Sequence, residues 1–232
     1  MAQARALLPH EHRAARTAPL LGGSALGVVT CAVPAVFDVP VGPGAAAVLL
    51  FLSAAVGVAG VGFALEDPSA PTTGLCPSPR WLRRCLRTTS ALSFLSIAWW
   101  SEAALVRRAL PAEDREIFPY GDLAVTALAL SLLAMTCAML TTRFTQGRGS
   151  GPAATALFAS CVLLLLFLPP GIELFSDPAD PPRWQSASQR WTALALLLAP
   201  ATVALHGDPA VRQSLERGDG NPSSRSARGV RP

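Results

Sequence analysis

Three carboxylates stand in or beside long apolar runs of this chain: Glu102, Asp122 and Glu173. A charged side chain inside a membrane segment is costly, and where one occurs it marks a cavity, a proton path or a substrate site by default. Glu102 follows Trp99, Trp100 and Ser101 in the run TTSALSFLSIAWWSEAALV. It stands about four residues from the end of that run, roughly 6 Å along a helix. Two readings are open: the carboxylate is solvated at the interface or met by a local partner, or it serves a cavity or proton path. Asp122 opens the next apolar run after Tyr120 and Gly121, in the place of a helix cap. Glu173 follows Pro169, Pro170 and Gly171, a break that stops a helix or turns it back as a surface element.

Other chemistry is scarce. There is no GxxxxGK[ST] phosphate loop and no GxGxxG after a strand. HExxH and GxSxG are also missing. The expectation is a chain that is not an enzyme and holds no cofactor or metal. His10 and His12 lie in a polar start. Cys76 and Cys85 are nine apart with no companion His pair, which is not a zinc spacing. With Cys31, Cys137 and Cys161 they read as small hydrophobes, and no disulfide is expected.

The elements that must position the carboxylates are apolar blocks. Of the 232 residues, 51% are hydrophobic and 15% charged, and the mean hydropathy is +0.39. Soluble domains carry roughly 25% charged residues. Blocks of about 20 apolar residues match a bilayer core of roughly 30 Å. They fall at about 18–37, 44–65, 88–106, 121–141, 152–172 and 183–206. The expected fold is therefore all-α: a polytopic membrane bundle of six transmembrane helices over residues 18–207. Residues 1–17 form a basic cytoplasmic start. Residues 208–232 are rich in Gly, Ser, Arg and Pro without an apolar pattern, and read as a disordered cytoplasmic tail. The basic stretch before span three reads as a short helix running into it.

Arginine sets the orientation. All 19 residues of the Lys/Arg class are Arg, and with the N-terminus inside, 14 fall in inner segments and 5 in outer ones. The positive-inside rule then places both termini in the cytoplasm. Arg collects at the ends of apolar spans rather than beside aromatics on a soluble face, so nucleic acid is not an expected partner. Asp180-Pro181-Pro182 is a good helix start. Trp184 and Trp191, seven apart and beside Arg183 and Arg190, share a face and read as anchors at the membrane–water interface. Gly23 and Gly27, and Ser53 and Gly57, are small-residue pairs that read as close helix packing.

One resemblance joins these features. The segments ALEDPSAPTTGLCPSPRWLRRCLR and RWQSASQRWTALALLLAPATVALHGDPA, within a six-span layout, resemble the permease subunits of type-two ATP-binding-cassette exporters. They also resemble the actinobacterial membrane proteins assigned to such systems, and the Ala-, Arg-, Gly- and Pro-rich composition is similar to that of high-GC bacteria. The likeness covers about residues 18–207. It implies a plasma-membrane permease without its own ATPase, working as a homo- or heterodimer among membrane lipids. Glu66, Asp67, Arg80, Arg83, Arg84 and Arg87 would then face a separate ATP-binding subunit. Residues 1–17, with Pro9 and only Leu7 and Leu8 as large apolar side chains, lack the amphipathic interface helix usual in that family. Two other readings stand beside it: a non-catalytic membrane partner or scaffold, and a membrane-embedded enzyme using Glu102, Asp122 and Glu173 at the outer face.

Overall fold

The structure, a computed structural model, describes residues 17–66, 80–145, 149–169 and 171–206. Seven helices and no strand occur among them: α1 (Ala18–Val36), α2 (Pro43–Ala59), α3 (Val61–Leu65), α4 (Arg80–Ala109), α5 (Tyr120–Phe144), α6 (Ser150–Leu166) and α7 (Pro181–His206). Helices α2 and α3 form one rod with a local irregularity at Gly60, where the backbone of Leu20 on α1 presses too closely for a Cβ. Three rods are long and apolar enough to cross a membrane: Ala18–Val36, Pro43–Leu65 and Tyr120–Phe144.

Local sequence sets the boundaries. Pro19 sits in the first turn of α1 and Pro43 opens α2, where a missing N–H and a fixed φ suit the helix start. Asp38 takes a left-handed φ of 50° in the turn between them, a conformation acidic and amide side chains tolerate best. Helix α4 is continuous for 30 residues, joining the basic stretch to the apolar run as expected. Helix α6 stops at Leu166, short of the expected end at 172. The apolar run goes on, but Pro169 and Pro170 supply no N–H, and a residue before proline is driven out of the helical region. Helix α7 begins at Pro181; Asp180 Oδ1 accepts the Arg183 N–H at 3.5 Å and Oδ2 pairs with the Arg183 guanidinium at 3.3 Å.

Successive rods run antiparallel. At one end Arg87 donates to the Glu66 carbonyl at 3.0 Å, and Arg143 at the end of α5 donates to the Leu205 carbonyl on α7 at 3.1 Å. At the other end the Val41 N–H bonds the Ala109 carbonyl at 3.1 Å. Helix α5 is central, packed on α2, α6 and α7, while α1 lies against α2 and α4. Leu50, Val58, Val61, Leu130 and Met135 fill the core. Large apolar side chains are exposed on the outward faces, among them Leu26, Val29 and Val36 of α1, Ile97 and Trp100 of α4, Leu163 and Leu164 of α6, and Leu196, Leu197 and Val203 of α7. Soluble monomers rarely expose contiguous apolar surface on such a scale.

Candidate functional site

Glu102 lies inside the bundle, 2% exposed, and has a local partner. The apolar run breaks at Arg107, but the helix does not: α4 continues to Ala109, and packing decides where Glu102 points. Ser53 Oγ of α2 donates to Glu102 Oε2 at 2.9 Å. The other oxygen rests against Gly27 of α1, where a Cβ would collide with it. The Cys31 thiol of α1 is beside Ser53 and Glu102. Among the described residues, no Arg or His pairs with this carboxyl group.

A cavity of about 20 Å³ adjoins it, lined by Ser24, Ser53, Trp99, Glu102 and Ser131 among others. That is room for one water molecule. Ser24 Oγ and Trp99 Nε1 are both buried without a hydrogen-bond partner among the described residues, and a buried polar group left unpaired costs roughly 1–3 kcal/mol. Four rods thus bring a polar side chain to one small volume: α1, α2, α4 and α5.

A second, larger cavity of about 420 Å³ opens at the far end of the bundle, between α2, α5, α7 and the segment 171–180. Its size falls in the range of small-molecule pockets, roughly 300–1,000 Å³. The segment that closes it is tied down from α7. Arg190 donates to the carbonyls of Gly171 and Glu173 at 2.6 and 2.5 Å, and Trp191 Nε1 donates to the Leu174 carbonyl at 2.8 Å. Phe175 meets Phe51 edge-on at 4.5 Å between ring centroids and Trp191 at 5.5 Å. Asp122 Oδ2 accepts the Trp184 Nε1 hydrogen at 2.7 Å, joining α5 to α7 across the cavity wall.

The two tryptophans expected as interfacial anchors face protein. Trp184 and Trp191 do share a face, but it turns inward: Trp191 is 3% exposed and Trp184 half-buried. A carboxylate and a backbone carbonyl accept from the two indole N–H groups. Asp122 is not the cap either. Pro119 holds that position without a side-chain bond, and Asp122 sits in the first turn, where the helix dipole favours its charge.

The three carboxylates do not converge. Glu102 belongs to the small inner cavity, Asp122 lines the large one, and Glu173 lines neither. Of the residues expected to face an ATPase, Asp67 lies outside the described residues, as do the side chains of Arg80, Arg83 and Arg84. Glu66 and Arg87 are turned inward, 5% and 6% exposed. Glu66 Oε2 lies at the start of α6, 3.0 Å from where a Gly151 Cβ would stand, again at a helix N-terminus. The expected disordered tail, 208–232, and all but the last residue of the expected cytoplasmic start, 1–17, also lie outside the described residues.

Sequence reasoning missed Phe51, Phe175 and the serine hydroxyls. The visible signal was a serine in span two facing a carboxylate in span three, which the sequence presents only as a small-residue pair. No protein-family model, curated protein or solved structure matches the chain.

Proposed function

We propose that this chain is the permease-like membrane subunit of an ATP-driven exporter, spanning the plasma membrane of a bacterium six times with both termini inside. In this reading it lacks its own ATPase and takes its solute at the cavity beside Asp122.

The cavity is the observation that carries the proposal. A scaffold needs only a packed bundle, whereas this bundle keeps a chamber of about 420 Å³ beside a segment pinned from α7. The six-span count draws on helices at all six expected places and on exposed apolar side chains on α4, α6 and α7 as well as on the three longest apolar rods. The orientation draws on the Arg distribution, which puts the cavity at the outer end. An enzyme at the outer face is disfavoured because Glu102, Asp122 and Glu173 are held apart.

The experiment is affinity capture of the full chain from detergent-solubilised membranes. A nucleotide-binding ATPase should come with it, in proportion to the chain. A stable monomer that brings no ATPase sinks the exporter reading.

A further inference from the structure

We propose that the large cavity is a site for a lipophilic organic cation. The proposal rests on the reading of this cavity as the solute site and deepens it by naming a substrate class.

Its walls combine two kinds of group. Phe51, Phe175, Trp184 and Trp191 contribute aromatic surface, and Asp122 and Asp177 contribute the charge. No Arg or His is among the described residues that line it. The two nearest cations of α7 are engaged elsewhere: Arg183 pairs with Asp180, and Arg190 holds the carbonyls of Gly171 and Glu173.

Each carboxylate keeps capacity for a ligand. Asp122 gives one oxygen to Trp184 and has the other free of any hydrogen bond to the described residues. Asp177 is exposed, accepts the Ala179 N–H at 3.0 Å and rests against Gly44 in the first turn of α2. Ser176 Oγ is buried at the cavity without a hydrogen-bond partner among the described residues and offers a further acceptor.

Aromatic faces attract cations through the ring quadrupole, most strongly when both are out of water. An anion in this chamber would meet two carboxylates, and among the described residues that line it no cationic side chain. A neutral apolar molecule would fit the walls but leave both carboxylates unanswered. A positive charge spread over an apolar body satisfies both.

The test uses the full chain in nanodiscs of neutral phosphatidylcholine. Saturable binding of tetraphenylphosphonium and of its anionic isostere tetraphenylborate is measured by equilibrium dialysis, with empty discs subtracted. The cation should bind and the anion should not, and Asp122→Asn and Asp177→Asn should each weaken cation binding about tenfold. Asp122→Asn keeps an oxygen for Trp184 Nε1, so the tie between α5 and α7 survives. Asp177→Asn lies on an exposed segment and provides the readout should the first variant misfold.

Equal binding of both ions, or Asn variants that bind the cation as tightly as the parent, overturns the charge preference but leaves the cavity a solute site. Binding of neither ion overturns both. An absent ATPase partner bears only on the exporter reading and leaves these binding results standing.

Discussion

Ser53 Oγ donates to Glu102 Oε2 at 2.9 Å, joining α2 to α4 in a region with no basic partner among the described residues. Hydrogen bonds between membrane helices contribute modestly, about 0.6 kcal/mol on average and up to about 1.7. Glu102 is 2% exposed, so Ser53→Ala should fall toward the upper part of that range. Denaturant unfolding in mixed micelles, followed by circular dichroism, gives the number. Ser53→Ala with unchanged stability would mean the bond adds nothing to the bundle.

The glycines of α1 and of the α2–α3 rod make a graded series. A Cβ on Gly23 would stand 2.6 Å from the Val56 carbonyl oxygen, and one on Gly60 would collide with the backbone of Leu20. Gly22 has nothing within 4 Å. Backbone cannot step aside as a side-chain end can, so Gly23→Ala and Gly60→Ala should each destabilise by about 1–3 kcal/mol. Gly22→Ala should be neutral or slightly stabilising, because alanine favours the helix by about 0.8–1.0 kcal/mol over glycine. Thermal unfolding of the three variants side by side checks the order.

Much of the fold was legible because membrane-length apolar blocks are separated by Pro, Gly and charge. The helix starts at Pro43 and Pro181 follow from local stereochemistry. What was not legible depends on neighbours distant in sequence. Nothing in the run WWSEAAL says that Glu102 faces Gly27 and Ser53 rather than lipid headgroups. Trp184 and Trp191 could be placed on one face by their spacing, but which way that face turns depends on Asp122 and Leu174. The end of α6 shows a conflict of two local signals: the apolar run favours continuation past Leu166, and the proline pair forbids it.

The bond between Trp184 and Asp122, 2.7 Å long, spans α7 and α5. Trp184→Phe keeps the aromatic body and removes the donor. A hydrogen bond to a charged group contributes about 1.5–3 kcal/mol. Trp184→Phe should therefore destabilise by that order, and Asp122→Ala by a similar amount. The double variant should lose less than the sum, since both changes delete the same bond. Strict additivity in this cycle would show the pair to be uncoupled.

Trp191 should be the most costly side chain of the cavity wall to remove. It is 3% exposed, meets Phe175 edge-on and donates to the Leu174 carbonyl at 2.8 Å. Truncating a buried aromatic to alanine costs about 3–5 kcal/mol. Trp191→Ala should also release the cover segment, and protection of residues 171–177 against hydrogen exchange should fall more than protection of α5. Uniform loss of protection across both would place Trp191 in the general core and not in a latch.

Orientation is tested by single added cysteines. Ala112 lies exposed in the turn between α4 and α5, and position 147 lies between α5 and α6. In the proposed orientation the first is outside and the second inside. In intact cells a membrane-impermeant maleimide should label Ala112→Cys and spare Gly147→Cys, while lysed cells should label both. The parent chain is the control, because Cys31 and Cys137 are buried and the other described cysteines are only partly accessible. The reverse pattern would turn the bundle over, place the cavity at the cytoplasmic end, and remove the outward-facing solute site from the exporter reading.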